Sequence, residues 1–332
     1  MTVTENTETE IKSGKFTNLP LGWYLVDSTV GALCGLTTTN PNASINAKNG
    51  TPTIDKQVLE DSTNQWGDSN TADIGQIVNF RTTIEVHAGA EKYVLHDKMS
   101  KGLTFNENSV VISTDLKTFE KGKDYTINVS EANENGDVTI TFAFPNLITS
   151  GITNLDTIAI NYTAKLNENA VIGNPGNPNE VYLEFSNNPY GDGTGKTEKD
   201  TVIVYTYQLV INKVDSHGHE LEGATFKLYK KNLAGEFILI DELSGDHMTI
   251  FTWSGLDDGD YKLEETTVPE GYNKMADIVF SISATHDETS DDPKLKSLDG
   301  GLMGTGEVST GTIEKDIVNQ TGTVLPETGA EG

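Results

Sequence analysis

The chain has 332 residues, enough for two or three domains with a core in each. It carries 50 acidic against 23 basic residues, a formal charge of −27, which argues against nucleic-acid or anionic-membrane partners and for a soluble, self-repelling surface. Cys34 is the only cysteine, so an intramolecular disulfide is excluded, and the abundance of Thr, Asn, Gly, Val and Ile without a long amphipathic helical run favours β structure.

Met1 to Gly14 is polar and acidic and reads as a flexible leader rather than a signal peptide. Phe16 to Leu36 reads as a turn followed by an apolar strand and hairpin, and TTTNPNASINAKNGTPTIDK reads as a connector. Residues 1–50 are therefore expected to be the C-terminal remnant of a first domain plus a linker. No apolar run is long enough to span a membrane. Either the protein is cytoplasmic, or the sequence is a trimmed segment of an exported one.

Residues 51–206 hold many short strands, among them QIVNFRTTIEV, KYVLHD, VTITFAF, TIAINYTAKL and EVYLEF, separated by loops such as NENGD and GNPGNPN. Short strands with polar turns and no helical period predict an all-β sandwich. Residues 207–321 predict a second one, from YQLVINKVD, ATFKLYKK, FILIDEL, MTIFTW, DYKLEET, DIVFSISA and TIEKDIVN. Residues 322–332 end the chain in GTVLPETGAEG.

Three polar residues follow apolar neighbours on candidate core faces of the second sandwich. Leu209, Ile211 and Lys213 share one face of its first strand. Tyr261, Leu263 and Glu265 share a face of a middle strand, and Ile313, Lys315, Ile317 and Asn319 share a face of the last. The first sandwich repeats the order of lysine, acid and asparagine: Ile54, Lys56 and Val58, then Tyr93, Leu95 and Asp97, then Val181, Leu183, Phe185 and Asn187. One such residue alone is ordinarily a strand-end side chain with its head in water. Two sets in one order, in domains without disulfides, suggest amide formation. Burial lets lysine lose its proton and the acid keep its own. The amine can then attack the asparagine carbonyl while the acid polarises it, and ammonia leaves. Glu265 and Asp97 are the expected catalytic acids, and Lys213–Asn319 and Lys56–Asn187 the expected isopeptide pairs. The reaction turns over once, so it is maturation, not enzymatic catalysis.

Tyr261–Tyr272, YKLEETTVPEGY, resembles the E-box of pilin Cna-B-type domains, YxLxETxAPxGY, with Val268 where alanine is usual. INKVD, LEGATFKLY and DIVNQ resemble the opening and closing strands of that domain. Thr53–Thr206 is similar to the preceding domain of Gram-positive backbone pilins, whose YVLHDKMSKGLTF-like segment carries aspartate in place of the E-box glutamate. VYLEFSNNP resembles its last strand, where Asn188 is available beside Asn187 and period two favours Asn187. Leu325, Pro326, Glu327, Thr328 and Gly329 match the sortase sorting signal, cleaved between Thr328 and Gly329. The family's signal continues into an apolar span and a basic tail, so a sequence cut just past the signal is expected. INAKN stands where the family has VYPKN, which makes Lys48 the candidate polymerisation lysine.

The resemblance implies tandem immunoglobulin-like (Cna-B-type) β-sandwiches in a pilus backbone subunit on the cell wall outside the cell. Its implied partners are a pilin-type sortase, identical subunits head to tail, and a housekeeping sortase with peptidoglycan; a host surface ligand stays open. No cofactor, metal or nucleic acid is implied. A non-polymerising adhesin or a minor pilin is the alternative built from the same modules.

Other patterns in the chain carry no comparable chemistry. GDGTGKT lacks the first glycine of a phosphate loop and lies between β domains. His217 and His219 have no cysteine or third histidine nearby, and Asp257, Asp258 and Asp260 lack EF-hand spacing. Cys34 follows small and apolar residues and is expected to pack.

Overall fold

The structure is a computed structural model that describes residues 20–26, 32–38, 51–87, 90–145, 147, 151–152, 156–186, 193–290 and 292–322. A hairpin of β1 (Gly22–Val26) and β2 (Ala32–Leu36) comes first. The next group runs β3 (Thr53–Glu60), β4 (Gln65–Gly67), β5 (Ser69–Thr71), β6 (Ile77–Glu85), β7 (Glu91–Met99), β8 (Leu103–Ser113), β9 (Thr126–Val129), β10 (Val138–Phe144), β11 (Thr157–Leu166), β12 (Asn177–Ser186), β13 (Thr194–Lys196) and β14 (Asp200–Tyr205). The last group is β15 (Tyr207–Asp215), β16 (Thr225–Lys231), β17 (Phe237–Ser244), β18 (Ile250–Leu256), β19 (Gly259–Thr267), β20 (Ile278–His286), β21 (Leu295–Asp299) and β22 (Thr312–Asn319). One short 3-10 turn, Gly301–Met303, is the only helical element among the described residues.

Each group forms two facing sheets. In the first, the order β5-β14-β12-β7-β10-β9, with β13 on β12, packs against β4-β3-β6-β11-β8. Period-two burial makes this possible. β6 turns Val78, Phe80, Thr82 and Ile84 inward, and β12 turns Asn177, Asn179, Val181, Leu183 and Phe185 inward. In the second group β18-β15-β22 faces β17-β16-β19-β20-β21. There the first and last strands, β15 and β22, are parallel neighbours, with Lys213 opposite Ile317 and Asp215 opposite Asn319.

The two sandwiches are not joined by a free linker. Val202 and Val204 of β14 belong to the first core, whereas Ile203 and Tyr205 belong to the second. A strand buried on both faces reads as an unbroken apolar run, which is why VIVYTY shows no polar alternation. Gly173 and Gly311 meet across the junction, both with positive φ, and a Cβ on Gly173 would lie 2.2 Å from the Gly311 nitrogen. Only glycine tolerates both that backbone and that approach.

An acidic cluster closes the same junction. The Lys230 amine reaches Asp73 at 2.7 Å and Asp257 at 3.1 Å, and the Asp257 backbone N–H donates to Asp73 Oδ1 at 2.8 Å. Burial pushes the Asp257 carboxyl up to about 7, with Lys230 opposing and the Asp73 charge adding. Burial and the Glu60 charge push Asp258 up to about 6. An acid that holds its proton more tightly when folded stabilises the fold at low pH, and that contribution is lost as pH rises from its unfolded value to its folded one. Stability from this cluster is therefore expected to fall between about pH 4 and the folded value of about 7. Asp257→Asn should flatten that slope, as read from urea midpoints across the range; an unchanged slope would remove Asp257 as its source.

Candidate functional site

The core of the first sandwich holds a fully buried lysine. Lys56, on β3, points its stem past apolar neighbours, with its amine over the rings of Phe80 at 5.5 Å and Tyr162 at 5.0 Å. The amine lies 3.0 Å from Asp97 Oδ2, 2.8 Å from the Tyr162 hydroxyl and 3.4 Å from Thr82 Oγ1. Burial pushes the Lys56 amine below the usual lysine range, and the Asp97 carboxylate only partly offsets it. Asp97 comes from β7 in the opposite sheet and is equally buried. The expected pairing of Lys56 with Asp97 is thus present in space, across the two layers.

The asparagine differs from expectation. Asn187 and Asn188 lie outside the described residues. The asparagine beside Lys56 and Asp97 is Asn179, whose side-chain N–H donates to the Tyr162 hydroxyl at 2.6 Å. Asn179 is fully buried on β12, two residues before Val181, which stands directly opposite Asp97. Among the described residues Asn179 is the asparagine that faces the lysine. The signal was available: the alternation through Val181, Leu183 and Phe185 runs back to Asn179 as well as forward to Asn187. Two oxygens in this cluster, Asp97 Oδ1 and Asn179 Oδ1, are buried and unpartnered among the described residues.

In the second sandwich Lys213, Glu265 and Asn319 are all buried. Asn319 Nδ2 donates to Glu265 Oε1 at 2.8 Å, and the Met275 backbone N–H donates to Glu265 Oε2 at 3.0 Å. The Lys213 amine donates to the carbonyl of Ile317, two residues from Asn319, at 3.0 Å. Burial lowers its proton affinity against the pull of Glu265. Asn319 Oδ1 is unpartnered among the described residues. The geometry differs from the first set: lysine and asparagine share one sheet, and the acid reaches over from β19 in the other. The E-box turn supports this, because Gly271 takes φ +85° and brings the chain back so that Met275 can cap Glu265.

Lys48 and the pentapeptide Leu325, Pro326, Glu327, Thr328 and Gly329 lie outside the described residues. The glycine-rich stretch near Gly195 is strand β13, not a strand–loop–helix; Gly195 packs on the Phe185 ring and Lys196 pairs with Glu184 at 3.3 Å. His217 and His219 do gain a third neighbour, Asp215, with ligand atoms within 4.8 Å. Asp215 Oδ1 already accepts the backbone N–H groups of both histidines, so the arrangement is a hydrogen-bonded turn with exposed rings.

Comparison with known proteins bears on the family and the fold. The family described as Gram-positive pilin backbone subunit 2, Cna-B-like domain, matches residues 74–189, and a prealbumin-like fold domain matches residues 207–294. The trypsin-resistant surface T6 protein of Streptococcus pyogenes is 30% identical over 254 residues, covering 68% of this chain and 45% of its own length. The chain thus spans less than half of that relative. Among solved structures, the T6 backbone pilin of Streptococcus pyogenes aligns with a TM-score of 0.61 at 19% identity, covering 91% of this chain and 78% of that one. A C-terminal fragment of the major pilin of Streptococcus agalactiae aligns at 0.57 and 21%, covering 81% and 100%. The full-length major pilin of Corynebacterium diphtheriae aligns at 0.57 and 18%, covering 92% and 81%. At these identities the structures establish the fold: tandem all-β sandwiches of the pilin type.

Proposed function

We propose, for a chain that belongs to the Gram-positive backbone pilins, that it is the structural subunit of a covalently polymerised surface pilus, stapled internally by Lys–Asn isopeptide bonds. Residues 51–206 and 207–321 are taken as its two complete sandwich units. The observation that carries the reading is the buried cluster of Lys56, Asp97 and Asn179 with its two unpartnered oxygens. Moving one proton from the amine to Asp97 Oδ1 neutralises both groups, so neither charge stays stranded in the core. That proton can then be donated to Asn179 Oδ1, which polarises the carbonyl. The Lys56 Nζ lone pair attacks Asn179 Cγ, the Cγ–Nδ2 bond breaks, and ammonia departs. Lys213, Glu265 and Asn319 complete the same exchange once the Asn319 amide turns its carbonyl toward Glu265.

Each bond closes a loop of about a hundred residues or more, and a cross-link of that span removes about 5 kcal/mol of chain entropy from the unfolded state. That does the work disulfides do in other exported β proteins. Polymerisation follows from the other two motifs. A pilin-type sortase would cleave after Thr328 and join its carboxyl to Lys48 of the next subunit, and a housekeeping sortase would pass the last subunit to peptidoglycan.

The intact mass of the purified protein is expected to fall two ammonias short of the sequence mass. Asn179→Ala should restore one ammonia and Asn187→Ala none; the reverse result would return the pairing to Asn187. Glu265→Ala should restore the other and destabilise the second sandwich by about 5 kcal/mol, seen as a lower melting temperature and faster trypsin cleavage. Equal mass and melting temperature would remove Glu265 from the chemistry. Incubation with a pilin-type sortase should produce ladders that Lys48→Ala and Thr328→Ala abolish. Ladders that survive Lys48→Ala would name another acceptor, and none from the unaltered protein would favour a non-polymerising adhesin.

A further inference from the structure

One hydroxyl in the first cluster touches both nitrogens that would change places on the asparagine carbonyl. The Tyr162 Oη lies 2.8 Å from Lys56 Nζ, the attacking nitrogen, and 2.6 Å from Asn179 Nδ2, the leaving one. It accepts from both, and donates its own proton to Asp97 Oδ2 at 2.5 Å. Its ring is held on several sides: stacked on Phe80 at 5.5 Å and Phe142 at 6.3 Å, with Phe105 edge-on at 5.3 Å. The hydroxyl position is therefore set by packing rather than by the groups it touches. A tyrosine that served only to fill the core would not need its polar end at the centre of three reacting side chains.

We propose that Tyr162 is a catalytic residue of the Lys56–Asn179 exchange, acting as a proton bridge between the two nitrogens; this rests on the pairing proposed above. The exchange requires one net proton transfer, from Nζ to Nδ2. As Nζ bonds to Cγ it becomes acidic, and Nδ2 becomes basic once the carbon is tetrahedral. The Tyr162 oxygen, which already accepts from both nitrogens, takes the proton from Nζ while its own proton turns from Asp97 Oδ2 and passes to Nδ2. The Cγ–Nδ2 bond then breaks, ammonia leaves, and the phenol is restored. Burial pushes the phenol well above its usual range, which disfavours a free phenolate between the two transfers. Asp97 is left free to hold the carbonyl oxygen. No side-chain hydroxyl bonds to Lys213, Glu265 or Asn319 among the described residues, so the second sandwich works without this bridge.

The test is timed synthesis of the full chain with quenching, intact mass and peptide mapping of each cross-link. Tyr162→Phe keeps the ring and should slow the 56–179 bond about a hundredfold, the order expected for a lost acid–base group. The 213–319 bond in the same molecules should form at the unaltered rate. A 56–179 bond that forms in this variant at the unaltered protein's rate would overturn the bridge. Absence of a 56–179 bond in the unaltered protein would instead overturn the pairing beneath it. If Tyr162→Phe fails to fold, as judged by circular dichroism, fluorotyrosine at position 162 replaces it. A more acidic hydroxyl should shift the pH–rate profile of the 56–179 bond alone, and an unshifted profile would overturn the proposal.

Discussion

A lysine amine buried among aromatic rings, with one carboxyl group to answer it, is the constraint around which the first sandwich is built. Taking Lys56 and Asp97 out of water costs several kcal/mol per ion, and their mutual attraction recovers that only with good geometry. The structure supplies the geometry from both layers. β3 and β11 present the amine and a phenol from one sheet, while β7 and β12 present the acid and an amide from the other. A core that carries four polar groups at its centre is poor design for stability alone. It becomes sensible if the groups react, because a covalent bond between the sheets replaces the ionisable amine with a neutral amide.

The two clusters solve the same chemical problem with different strand arrangements. In the first, lysine and asparagine come from opposite sheets, so a bond between them would pin the layers together. In the second they come from adjacent parallel strands, β15 and β22, and a bond would lock the first strand to the last. Tension along the chain enters a sandwich at its first strand and leaves at its last. Parallel neighbours at those two positions are loaded in shear, and a covalent link there carries the load directly. The shared strand β14 and the Gly173–Gly311 contact join the two sandwiches through packed backbone.

Much of this was legible in order along the chain. Alternation named the inward faces, so Lys56, Asp97, Lys213, Glu265 and Asn319 could be singled out as polar residues on apolar faces, and each is buried. Asn179 was not singled out because period two has no direction: it marks a face without saying how far along the strand the partner lies. Only the register of β12 against β7, with Val181 opposite Asp97, selects Asn179. Tyr162 was hidden for a related reason. In TIAINYTAKL a tyrosine on the inward face reads as core filling, and nothing local shows that its hydroxyl meets residues from three other strands.

The sequence by itself determined the all-β class, the two groups of strands and which side chains must be buried, because these follow from local periodicity and turn chemistry. Tertiary structure decided which buried polar groups meet. It also set which sheet each comes from, how β14 serves two cores, and why Asp257 is pressed against Lys230 and Asp73. Those outcomes depend on strand order and register, which bring together residues more than a hundred positions apart and leave no trace in the spacing of any one segment.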